Sequence, residues 1–151
     1  MATVKQAWNY VGNGQQFPIK SGVAVSAGDL VALDSNGQVV LADCNTGPVA
    51  AHGFAVFVDN MTSAARTGVA GLTVFCSIAM DGVVSGLSSL TIGGNIYLSG
   101  TAGGYTGTAT TTNTELRQCV GTAIAADTVQ VCVRANDVKY QTSGNSVATF
   151  I

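Results

Sequence analysis

The chain has 151 residues, 47% of them hydrophobic and only 9% charged, with a net charge of −2. That length suits one domain with a core of its own, and the hydrophobic content excludes a disordered chain. The six Lys and Arg are scattered without a basic stripe, which argues against direct nucleic-acid binding, because phosphate contacts need clustered cations.

Residues 1–16 read as an N-terminal arm. They carry Trp8 and Tyr10, followed by Gly12-Asn13-Gly14, and hold no apolar stretch of the kind found in a secretion signal. A β pattern opens at residues 17–19. Residues 29–34 and 38–42 then flank Ser35-Asn36-Gly37, where a two-residue type I′ turn at Asn36-Gly37 is expected. That register sets Leu33 opposite Val40, Val31 opposite Ala42 and Ala32 opposite Leu41. Both faces of the pair are apolar, so it belongs inside packed sheets or against a partner. Residues 52–58 read as the next strand, and residues 59–66 as a single short helical turn.

The strongest strand signal is Leu72-Thr-Val-Phe-Cys-Ser-Ile-Ala-Met80. It places Leu72, Val74, Cys76, Ile78 and Met80 on one buried face. Asp81-Gly82 marks a turn or bulge. Strands are expected at residues 82–85, 95–98, 105–108 and 117–125. Thr128-Val-Gln-Val-Cys-Val-Arg134 turns Val129, Val131 and Val133 inward. Residues 135–151 are polar and end in Phe150-Ile151, which reads as a C-terminal arm. No 18-residue uncharged apolar span has helical character, so no membrane helix is expected.

Glycine accounts for 19 residues, with turns at Gly93-Gly94 and Gly103-Gly104. Many short strands joined by glycine turns indicate an all-β domain, a small barrel or sandwich, over residues 17–134. The pattern also repeats. Gly28-Asp-Leu-Val, a glycine turn and His52-Gly-Phe-Ala are echoed about 66 residues later by Gly94-Asn-Ile-Tyr, a glycine turn and Val120-Gly-Thr-Ala. Two similar β units are expected.

Catalytic groups do not converge. His52 is the one histidine and Glu115 the one glutamate. The seven aspartates stand apart, mostly at turns, where their side chains bond their own backbone. The chain contains no nucleophile elbow, P-loop or zinc-protease motif. Cys44, Cys76, Cys119 and Cys132 lack zinc spacing, and the last three sit in apolar strand patterns, where buried thiols are expected. The expectation is a non-enzyme without cofactor or metal.

Residues 82–114 contain no Asp, Glu, Lys or Arg at all. Soluble exteriors normally carry charge, whereas interface cores are depleted in it. A chain that buries much of its exterior against neighbours, as a homo-oligomer or on a larger partner, is expected. The arms offer the best anchors: Trp8, Tyr10 and Phe17 in front, Tyr140, Phe150 and Ile151 behind.

Ala27-Gly-Asp-Leu-Val-Ala-Leu, Gly53-Phe-Ala-Val, the strand running through Met80-Asp-Gly-Val-Val84, Gly94-Asn-Ile-Tyr-Leu, Gly121-Thr-Ala-Ile and Val129-Gln-Val-Cys-Val133 follow one another in an order that resembles the capsid cement, or head decoration, proteins of tailed bacteriophages. The resemblance spans about residues 22–134. It implies a β-barrel or sandwich, often trimeric, on the outside of the virion, clamping neighbouring major capsid protein subunits. The chain departs from the family in its low charge and in its polar tail after Arg134. A competing expectation is a fibre or receptor-binding module for host glycans, with Trp8, Tyr97 and Tyr105 as platforms.

Overall fold

A computed structural model describes residues 14–45, 48–58, 66–67, 74–112, 114–133, 138–141 and 147–150. Among them every regular element is a β-strand. In chain order these are β1 (Gly14–Pro18), β2 (Ala24–Val25), β3 (Leu30–Leu33), β4 (Val39–Leu41), β5 (Gly53–Val58), β6 (Arg66–Thr67), β7 (Phe75–Ala79) and β8 (Asp81–Ser85). They are followed by β9 (Asn95–Leu98), β10 (Tyr105–Thr106), β11 (Leu116–Arg117), β12 (Cys119–Ala125), β13 (Thr128–Cys132), β14 (Val138–Gln141) and β15 (Val147–Phe150). The single helical turn expected at residues 59–66 lies outside the described residues, except for Arg66, which is in β6.

Two five-stranded antiparallel sheets form the body, in the orders β1-β7-β5-β3-β4 and β8-β13-β12-β9-β10. Both are open, an arrangement compatible with a sandwich; neither closes into a barrel. One isolated parallel bridge, Ile19 to Val39, brings the end of β1 to β4. The first sheet starts at Gly14, and in a separate three-stranded sheet β14 pairs with β11 on one side and β15 on the other.

The two sheets are the two units of the repeat. Taken in chain order, the strands of each occupy the same places. Details match as well. Val31 pairs with Gly53 and Ile96 with Gly121; a bulge falls between Ala55 and Phe57, and another between Ala123 and Ala125. Gly28 N donates to Ala55 O at 2.6 Å, and Gly93 N to Ala123 O at 2.7 Å. Gly28 therefore corresponds to Gly93 rather than Gly94, one residue from the alignment expected. Both glycines have positive φ, 96° and 82°, which side chains rarely tolerate.

The hairpin between β3 and β4 corrects the expected register. Val31 lies opposite Leu41, Ala32 opposite Val40 and Leu33 opposite Val39. The loop has three residues, closed by Gly37 N donating to Asp34 O at 3.0 Å, with Gly37 alone at positive φ (74°). This is a type I turn ending in a glycine bulge. Asp34 selects it, because its Oδ1 accepts from Asn36 N at 2.8 Å and Gln38 N at 3.0 Å. In the second unit Ser99 Oγ accepts from Thr101 N at 2.9 Å in the same way.

The first sheet is buried on both faces, as its pattern indicated. Val31, Val39, Ala55, Cys76 and Ile78 pack on one side with Ile19, Val25 and Ala27. On the other, Leu30, Phe54, Val56 and Ala79 join Ile96, Leu98, Val120, Ala123, Val129 and Val131 of the second sheet. Val129 and Val131 turn inward as expected, with Val133 half-buried behind them. Phe54 meets Tyr105 edge-on, ring centroids 6.2 Å apart. Between β11 and β12 the strand expected over residues 117–125 breaks at Gln118. This residue is buried, its Oε1 accepting from Ala51 N at 2.7 Å and its Nε2 donating to Ala51 O at 2.9 Å. The side chain thus replaces a ladder partner for a loop residue that burial would otherwise leave unpaired.

Candidate docking face

The second sheet covers the core with one face and presents the other outward. Strand registers define two cross-strand rows on that outer face. One runs Val83, Gln130, Thr122, Asn95. In the other, Asp81 pairs with Cys132 on β13, and Cys119 on β12 pairs with Tyr97, which pairs with Thr106. β9, β12 and β13 contribute no charged side chain. Among the described residues charge stands at the margins: Asp81 on the edge strand, Asp127 on the turn between β12 and β13, and Arg117, whose Cζ lies 6.0 Å from the Tyr97 ring centroid.

The repeat explains this face. In the first unit the row Leu30, Phe54, Ala79 is apolar and buried. Its counterpart in the second unit is Asn95, Thr122, Gln130, which is polar or half-exposed. The first row is covered by the second unit; nothing among the described residues covers the second row. One position kept its apolar character. Val56 at the first bulge is buried, whereas Ile124 at the corresponding bulge is 51% exposed. Ile92, 69% exposed, sits on the neighbouring turn, which Gly93 N ties to Ala123 O. Two large aliphatic side chains therefore stand in solvent at one corner of a sheet whose strands β9, β12 and β13 carry no charge.

The residues singled out as anchors are placed as follows. Phe17, in β1 opposite Cys76, is half-buried against the first unit's core. Tyr140 pairs in backbone register with Leu116, and Phe150 with Val138. Trp8, Tyr10 and Ile151 lie outside the described residues. The described anchors stand on strands of two different sheets, Phe17 in β1 and Tyr140 and Phe150 in β14 and β15. Sequence reading missed Ile92 and Ile124. The signal for Ile92 was an isoleucine inside a glycine turn. The signal for Ile124 was hidden by the earlier bulge between Cys119 and Gly121, where Val120 and Gly121 are both buried and the period-two alternation changes phase. Among the glycan candidates, Tyr105 packs inward and Tyr97 faces out beside Asn95, whose Nδ2 donates to Tyr97 Oη at 3.3 Å.

Two cysteines also depart from expectation. Cys44 and Cys76 are buried, but Cys119 and Cys132 are exposed on the outer face. The period of two decides this: Val131 points in, so Cys132 points out. Burial, reinforced by Glu115 with Oε2 3.8 Å from the sulfur, pushes the Cys44 thiol up to about 11. Burial, with Asp29 nearby, pushes Cys76 up to about 12. Both are held as thiols rather than thiolates. His52 is half-buried, and its Nδ1 accepts from Leu33 N at 3.1 Å. Among the described residues no group of three or more His, Cys, Asp or Glu is placed to hold a metal ion. A recess of about 70 Å³ lies beside Ser89, Thr91 and Asn95.

No protein-family model matches the chain, and no curated protein matches it significantly.

Proposed function

We propose that this chain is a capsid decoration protein that binds the outside of a tailed-bacteriophage head and bridges major capsid protein subunits. The observation that carries this reading is the outer face of the second sheet, uncharged over β9, β12 and β13, with Ile92 and Ile124 exposed at its corner. Such a surface suits contact with a large partner, because interface cores are depleted in charge and anchored by apolar side chains. The order of motifs that resembles the decoration family names the class of partner. A trimer on the virion exterior accords with that reading, since several weak contacts add by avidity.

The test is co-sedimentation of the full chain with expanded heads that lack it. The native chain is expected to saturate them. Ile92→Asp and Ile124→Asp together are expected to weaken binding about 30-fold, the loss of one hot spot of about 2 kcal/mol. Native protein that fails to bind such heads removes the proposal. Binding that survives both substitutions removes this face as the docking surface.

A second reading rests on Tyr97. It faces outward beside Asn95, the type of aromatic and amide pair that holds a sugar ring. Binding on a glycan array that is lost with Tyr97→Ala would favour a receptor-binding module instead.

A further inference from the structure

Cys119 on β12 and Cys132 on β13 stand on adjacent strands, just beyond the paired residues Gly121 and Val131. The row Val83, Gln130, Thr122, Asn95 fixes the alignment of β8, β13, β12 and β9. Two residues along, the adjacent row begins with Asp81 paired to Cys132 and ends with Tyr97 paired to Cys119. On β12 a step of two from Thr122 would reach Val120, but the ladder to β9 skips that residue. Val120 turns into the core beside Gly121. The bulge thus turns Cys119 outward opposite Tyr97, and Cys132, one step beyond the Gly121–Val131 pair, faces outward on the next strand. Both thiols are exposed.

The spacing suits a covalent bond. Adjacent strands lie about 4.8 Å apart, within the roughly 4.4–6.8 Å that a disulfide spans between Cα atoms. We propose that Cys119 and Cys132 form a cross-strand dithiol that a disulfide oxidant converts to an intramolecular disulfide, a reversible staple across the exposed face.

The chemistry is thiol–disulfide exchange. One cysteine, as thiolate, attacks a sulfur of oxidised glutathione. The glutathione S–S bond breaks, one glutathione thiolate leaves, and a mixed disulfide remains on the protein. The second cysteine gives up its proton and attacks the protein-side sulfur of that mixed disulfide. A Cys119–Cys132 bond forms and the second glutathione leaves as thiol. The protein loses two electrons and two protons, and one glutathione disulfide becomes two glutathiones. Bond formation gives up the weak contact of Cys119 Sγ with Gly121 O at 3.5 Å. Cys44 and Cys76 compete poorly, being buried and held as thiols.

The proposal is independent of what the face binds. To test it, the reduced full chain is incubated with oxidised glutathione without denaturant. Free thiols are then alkylated and the chain is digested with trypsin. No Lys or Arg lies between Arg117 and Arg134, so both cysteines leave in one peptide, 118–134. The expected peptide lacks two hydrogens, resists alkylation, and becomes doubly alkylated when first reduced. Cys132→Ser is expected to convert it to a single glutathione adduct on Cys119. A native peptide carrying two glutathiones, two alkyl groups or only links between chains overturns the proposal.

Discussion

Gly53 and Gly121 sit at the same place in the two units, and each is pressed against a neighbouring strand. A Cβ built on Gly121 falls 2.4 Å from Gln130 O and 2.6 Å from Val129 Cγ1. On Gly53 it falls 2.2 Å from Ala79 O and 2.7 Å from Ile78 Cγ2. A carbon–oxygen contact needs about 3.3 Å, so Gly121→Ala forces β12 and β13 apart by roughly 1 Å. The obstructing atom is a backbone carbonyl within a ladder and cannot swing aside. Overpacking of this kind costs about 1–3 kcal/mol, and two stretched ladder bonds add about 1 kcal/mol each. The sum, about 4 kcal/mol, is a large share of a typical 5–15 kcal/mol stability. Gly37→Ala is the control. Its Cβ would meet nothing within 4 Å, so only the left-handed backbone (φ 74°) is penalised, at about 1 kcal/mol. Urea unfolding followed by circular dichroism reads all three variants. Gly53→Ala and Gly121→Ala are expected to shift the midpoint alike, far more than Gly37→Ala, with an unchanged slope. Gly121→Ala no more damaging than Gly37→Ala would refute both the close approach and the equivalence of the two units.

Three further expectations rest on buried groups. Gln118→Ala leaves Ala51 N and O without partners in the core, and a loss of about 2–4 kcal/mol in urea unfolding is expected. His52 is lowered from its ordinary 6.5 by burial, and its Nδ1 must stay unprotonated to accept from Leu33 N. Its contribution is therefore complete above pH 6.5 and declines as pH falls through the lowered folded value. The difference in stability between the native chain and His52→Asn should shrink over that window; a constant difference would contradict it. Asp29, raised from 3.8 by burial, works in the opposite sense, losing its contribution as pH rises through its folded value, so the paired comparison carries the test. Finally, Cys44 and Cys76, pushed up to about 11 and about 12, should alkylate much more slowly at neutral pH than the exposed Cys119 and Cys132. Equal rates at all four thiols would mean the core is open to reagent.

Much of the fold was legible because apolar period-two runs leave little freedom in strand assignment. Asn95–Leu98 falls where its pattern placed it, and the both-faced burial followed from Val31 and Leu33 on one face of β3 and Ala32 on the other. Turn geometry was harder to read. Asn36-Gly37 fits two hairpin loops, and only the side chain of Asp34, accepting two backbone amides, selects the longer one. That choice moves every cross-strand pair by one residue. The docking face was less visible still. Its chemistry depends on which face of the second sheet the first unit covers, and on a bulge that sends Ile124 and Cys119 outward.

Residue order alone determined an all-β chain, its two similar units, a stretch of 33 residues without charge, and the lack of any convergent catalytic motif. These are properties of local pattern and composition, set by side-chain period and turn chemistry. Tertiary structure decided how the units stack. It buried Leu30, Phe54 and Ala79 while leaving their counterparts Asn95, Thr122 and Gln130 facing outward. Equivalent strands acquire opposite environments because burial belongs to the assembled sheets, not to any one strand.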